Sequence, residues 1–213
     1  MDAPEPEVPE TPHPCAALLA EVKRDCGALR AARRRRLAVF VALAVCTVGL
    51  LIVMMPARSP GAGTVGHGAL VGGYALLGLA LCALAFGATL PAGRQLRPVA
   101  VLGAAAALGL LLVTALSFSG ETMPFGAGAK CLAVGLVTAL AIAGAGLGVG
   151  RGVLRRHAPT GLLLGVGAGL LALLPLHFAC PDCTAAHLLS WHGLVPPLSG
   201  VIAGLAWGWL RAP

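Results

Sequence analysis

Charge is scarce in this 213-residue chain, where Asp, Glu, Lys and Arg together make up 11% of positions. Soluble domains carry about a quarter, so a water-facing surface cannot cover most of this length. Aromatic residues are scarcer still, at 4%, with one tyrosine and three tryptophans. Any aromatic belt at a membrane boundary is therefore thin. The long apolar stretches hold almost no ionisable side chain, which argues against a transport path, because such paths usually carry intramembrane charges. No basic patch is interleaved with aromatic residues, so the net charge of +7 does not point to nucleic acid. Most enzyme classes fall away, since soluble chemistry is confined to the first 36 residues or to short loops.

Hydrophobic residues, by contrast, make up 58% of the chain. Six stretches are long enough to cross a bilayer, a crossing that takes about 20 mostly apolar residues. They run over Leu37–Met55, Ala69–Leu90, Pro98–Phe118, Cys131–Gly150, Thr160–Phe178 and His192–Leu210. Thirty glycines and many alanines suit close helix approach in lipid. The expected fold is all-α: a six-helix transmembrane bundle over residues 37–213, preceded by a cytoplasmic tail over residues 1–36. The first stretch reads as an uncleaved anchor. Its lead contains five prolines and six acids, and no clear small-x-small cleavage site follows it.

Lys and Arg set the orientation, because they collect in short cytoplasmic segments. With the N-terminus inside, thirteen of the fifteen fall on inner segments, and only Arg58 and Lys130 fall on outer loops. Both termini are expected in the cytoplasm.

Within the tail, residues 1–14 are rich in Pro and Glu and cannot bury enough apolar surface to fold alone. From Cys15 to Arg30 the pattern changes to an amphipathic helix, with Leu18, Leu19, Val22, Cys26 and Leu29 near one face. The helix runs into the basic anchor Arg33–Arg36. Two readings stand: a helix lying on anionic membrane lipid, and a helix docking its stripe in the groove of a cytoplasmic partner.

Seven cysteines occur. Cys15 and Cys26 lie in the tail, and Cys46 and Cys82 lie within spans as small packing residues. Cys131 opens the fourth span, and Cys180 and Cys183 lie in the last outer loop beside His177, His187 and His192. Cys131 and Cys180 cap the outer ends of consecutive spans, where adjacent helix ends can bring them within disulfide range. Alternatively, Cys180 and Cys183 form a CxxC redox pair. In a third reading His177, Cys180, Cys183, His187 and His192 gather zinc or copper, since their spacing offers soft and borderline ligands.

The segment from Cys131 to Arg211 resembles the C-terminal half of the six-pass anti-sigma factors of the NrsF-like family, the negative regulators of sigma F. The matching features are Cys131, the inner loop Arg155-Arg156-His157-Ala158-Pro159, and the Gly-rich run Gly165-Val166-Gly167-Ala168-Gly169. Cys180-Pro181 and Trp191-His192-Gly193 follow, before a Gly/Ala-rich last span. The resemblance implies a non-enzymatic protein of the bacterial inner membrane. Such a protein holds an extracytoplasmic-function sigma factor on its tail, without binding nucleic acid directly. Cys131 and Cys180 match the family's outer-face cysteine pair, implicated in sensing. Cys183, His177 and His187 are departures from that pattern, and they leave metal, redox or another stimulus open. A metal-handling membrane protein or small transporter is the rival reading, and a membrane thiol oxidoreductase working through Cys180 and Cys183 is another.

Overall fold

The computed structural model describes residues 14–55, 65–87, 105, 109, 125–151, 154, 158–181 and 184–209. The described residues are mostly helical, with no strand among them. The long helices are α1 (Pro14–Met54), α2 (Val65–Gly87), α3 (Phe125–Val149) and α4 (Ala158–Ala179). After them come a short α5 (Ala185–His187), a π-helical turn (Leu188–His192) and α6 (Val195–Trp209). Five segments are long and apolar enough to cross a membrane: Leu18–Met54, Gly68–Phe86, Gly128–Val149, Pro159–Ala179 and Leu188–Trp209. The expected span Pro98–Phe118 lies outside the described residues, apart from Ala105 and Gly109.

α4 is the centre of the bundle. In its most apolar window 83% of the residues are buried, against 17–44% in the other four spans. It packs most extensively on α6, then on α2, α3 and α1. Glycine makes this possible. Gly161, Gly165 and Gly169 recur every fourth residue and so share one face. A Cβ on Gly165 would run into the Ser199 carbonyl and the Gly200 Cα of α6. With no Cβ there, the two backbones touch, as in small-xxx-small contacts in lipid. The Ser199 hydroxyl lies 2.8 Å from the Gly165 carbonyl and 2.7 Å from its own Val195 carbonyl, so its single proton is shared across the seam.

Prolines mark helix starts where an N–H has no intrahelical acceptor. Pro159 sits in the first turn of α4, and Pro196 and Pro197 sit in the first turn of α6. Pro175 is different: it lies inside α4 and removes one helical donor near the end that carries Cys180.

α1 is unbroken over 41 residues. The expected boundary at Arg36 is a change in charge, and the backbone passes through it. From Ala28 to Val48 there is neither glycine nor proline, and Ala, Leu and Arg are strong helix formers. Two contacts anchor its membrane half. Buried Phe40 stacks on Phe86 of α2, with centroids 5.3 Å apart. Arg36 donates to the carbonyls of Val149 and Arg151, at and just past the end of α3. A cation there meets the carbonyls and the negative pole of the helix end.

The bundle is apolar outside as well as inside. Val45, Leu50, Val53, Leu76, Val137, Val201 and Leu205 are all exposed on the spans. In water such a surface would drive association, whereas in lipid it is the ordinary outer wall of a helix bundle.

Candidate functional site

At the end of the bundle remote from Arg36, four side chains converge: Cys131, Cys180, His187 and His192. Their ligand atoms all lie within 4.8 Å of one another. The buried group can hold a metal ion. Each ligand comes from a separate local device.

Cys131 lies in the second turn of α3 and is half-buried. Cys180 directly follows α4, and its N–H donates to the Leu176 carbonyl at 2.8 Å, which carries the helical pattern one residue further. The two sulfurs are 3.7 Å apart, within hydrogen-bond range for thiols. A covalent bridge requires about 2.05 Å.

His187 ends α5. Its backbone N–H donates to the Thr184 hydroxyl at 3.3 Å, so Thr184 caps the short helix three residues upstream. His187 Nε2 and Cys180 Sγ share a hydrogen bond at 3.3 Å.

His192 ends the π-helical turn, where the Gly193 N–H reaches the Leu188 carbonyl at 2.7 Å, five residues back. The widened turn matters for the site. In an α-helix, residues five apart point about 140° away from each other. An i→i+5 turn brings them towards the same side. His187 and His192 thus meet edge to face, with ring centroids 5.1 Å apart. Trp191 packs against the start of α3, where a Cβ on Gly128 would strike its indole.

His177 is buried but stands outside the four-residue group. It stacks on Tyr74 of α2, with centroids 5.0 Å apart, and meets the edge of His192 at 5.4 Å. It therefore backs His192. Cys183, the remaining expected member of both the sensor and the metal sets, lies outside the described residues. The structure thus brings together Cys180, His187 and His192 from the expected metal set and adds Cys131.

Tyr74 and Thr184 were not singled out from the sequence. Thr184 carried a local signal, a hydroxyl residue just ahead of Ala-Ala-His. Tyr74 carried none, because its partner lies more than a hundred residues away.

Cys131 is half-buried and Cys180 is buried behind it. A cleft of about 170 Å³ opens beside them, lined by Met55, Lys130, Cys131, Leu176, Cys180 and Pro181 among others. It runs from Met55, one residue past the first span, to the sulfur pair. The Lys130 side chain is exposed at its rim.

The expected docking stripe sits at the opposite extreme of the molecule. Leu18 is 63% exposed, and Leu19, Val22, Cys26 and Leu29 are exposed with it. No family model matches the chain, and the searches of curated proteins and of solved structures found no match.

Proposed function

We propose that this chain is a membrane-bound anti-sigma factor that acts by sequestration and not by catalysis. Its tail holds an extracytoplasmic-function sigma factor away from RNA polymerase and releases it on a signal at the outer face. The observation that carries the reading is α1, one continuous helix with an exposed apolar stripe at one end and a packed membrane half at the other. The Lys and Arg distribution supports a cytoplasmic stripe and an outer Cys/His group, hydropathy supports a sixth span over Pro98–Phe118, and the bacterial inner membrane is what the NrsF-like resemblance implies.

The stripe has the spacing of a helix-in-groove ligand. The group at the other end is the input, through thiol chemistry at Cys131, Cys180 and Cys183 or through a zinc or copper ion. The signal travels because α1 packs on α3 and α4, the two helices that present Cys131 and Cys180. Two arrangements of the bundle must differ in their affinity for sigma. Proteolysis of the tail is the other route to release.

A second reading is favoured by the same group: a membrane protein that handles metal, with the Cys/His residues as its entry site. It lacks the intramembrane charges of a transport path.

The decisive experiment replaces Leu18 and Val22 with Asp in the full-length protein. Buried in a groove, each unpaired carboxylate is costly. Sigma-dependent transcription should become constitutive at unchanged protein levels. Full repression by a normally abundant double variant would remove the tail from the binding role.

A further inference from the structure

We propose that Cys131, Cys180, His187 and His192 form a closed, four-coordinate site for Zn²⁺ that staples α3 to the end of α4 and to the α5–π-turn segment. The inference deepens the sensor reading and rests on it for physiological meaning, while the metal chemistry is testable with no sigma factor present.

The first argument is geometric. With Zn–S near 2.3 Å, the edge of a tetrahedron between two sulfurs is about 3.8 Å. The Cys131 and Cys180 sulfurs are 3.7 Å apart. With Zn–N near 2.05 Å, a sulfur–nitrogen edge is about 3.6 Å. Cys180 Sγ and His187 Nε2 are 3.3 Å apart. No separation within the group exceeds 4.8 Å, so closing the shell takes a shift of at most about 1.5 Å between any two ligand atoms.

The second argument is the donor set. Two sulfurs and two imidazole nitrogens make a Cys₂His₂ shell, a regular structural zinc arrangement. Mg²⁺ and Ca²⁺ require oxygen ligands, and the group offers none. Iron–sulfur clusters held by four thiolates need two more cysteines than the group has, and a Rieske centre, which does take two Cys and two His, places them on different irons, too far apart for the 3.3 Å between Cys180 Sγ and His187 Nε2.

The third argument is charge. Two thiolates, two neutral imidazoles and Zn²⁺ sum to zero. Cys180, His187 and His192 are each at least 95% buried, and an uncompensated charge in such surroundings is expensive. Cu⁺ with the same ligands would leave a net charge of −1. The buried setting therefore selects the divalent ion. His177, stacked between Tyr74 and the edge of His192, orients the latter ring from outside the shell.

The ligand order follows the chain topology. Cys131 is 49 residues from Cys180, while His187 and His192 follow Cys180 within 12 residues. Three ligands therefore come from one local segment and the fourth from a neighbouring span. The fourth ties that segment to α3.

The test uses the full-length protein, purified in detergent under reducing conditions, stripped with a chelator and dialysed against Zn²⁺ alone. One zinc per chain is expected. Co²⁺ in its place should give the intense visible bands of a tetrahedral site and a thiolate charge-transfer band. Zinc should protect the half-buried Cys131 from alkylation, as mapped by mass spectrometry, which needs no variant. Cys131→Ser and His192→Gln should each weaken zinc binding more than about 100-fold, beyond the range of outer-shell losses, and His177→Gln should stay within that range of about 10–100-fold. Absence of stoichiometric zinc, or equal alkylation of Cys131 with and without it, would overturn the site. So would retention of zinc by Cys131→Ser with loss in Cys183→Ser. Repression by the tail, measured separately, would survive any of these failures, so the two readings stand or fall apart.

Discussion

At the scale of single residues, what matters is which thiols share an environment. Cys46 is exposed on a membrane-spanning helix, Cys82 is buried against α4, and Cys131 and Cys180 face each other. Cys131→Ser and Cys180→Ser should each abolish or lock the inducing response of the proposed sensor while leaving membrane insertion intact. Cys46→Ser and Cys82→Ser should leave it unchanged. Reporter transcription before and after induction, with immunoblots of the membrane fraction, separates the cases. A normal response from both Cys131→Ser and Cys180→Ser would exclude the pair as the input. The meeting of these two cysteines was legible because both fall at ends of consecutive spans, and span ends follow from hydropathy alone. The position of His177 was not. It lies three residues before Cys180, and sequence proximity made it a ligand candidate. Its ring is instead held by Tyr74, a contact between α2 and α4 that no local pattern encodes.

At the scale of elements, α1 and the π-helical turn teach opposite lessons. The stripe of α1 and its basic run were plain in the sequence, but they read as two units because charge changes abruptly at Arg33. Helix propensity, continuous across Ala31–Leu37, decides the backbone. The π-helical turn has no sequence code, because an i→i+5 bond is chosen by the packing around it, here Trp191 against Gly128. The continuity of α1 bears on the proposed anti-sigma role. At 1.5 Å per residue, Pro14 to Arg36 spans about 33 Å, a rod that projects from the bundle. If this rod transmits the state of the bundle, a flexible break should uncouple it. Inserting Gly-Gly between Ala32 and Arg33 adds two weak helix formers there. The variant should still bind sigma through Leu18, Leu19, Val22 and Leu29, yet lose the difference between resting and induced affinity, a difference typically about 5–150-fold in allosteric proteins. Pull-down of sigma under both conditions measures it. An undiminished response would favour release by proteolysis, which needs no rod.

At the scale of the whole molecule, the two ends of the membrane bundle have different chemistry. One end carries Arg36 clasping the end of α3, and the other carries the Cys/His group. Cys131 and Val149 on α3 are 18 residues apart, about 27 Å along a helix, close to the thickness of a bilayer's hydrocarbon core. The bundle is therefore matched to a membrane with the two sites at opposite faces. The parity of crossings follows from the chain itself. α1 brings Met55 to the Cys131 end, since Met55 lines the cleft beside Cys131. α3 and α4 are consecutive spans that connect at the Arg151 end and present Cys131 and Cys180 at the other. For α3 to begin at the end where α1 stops, an even number of crossings must lie between them. α2 supplies one, and the span expected from hydropathy at Pro98–Phe118, outside the described residues, is the second that topology reporters would test. Topology reporters fused after Arg36, His67, Gly93, Pro124, Pro159, Asp182 and Pro213 should alternate strictly, beginning and ending in the cytoplasm. The Gly93 fusion is the sharpest of them. A cytoplasmic signal there with a periplasmic signal after Pro124 requires a crossing between the two positions. A periplasmic signal from the Pro213 fusion would break the six-span arrangement and put the Cys/His group and the tail on the same side, which would end the transmembrane relay.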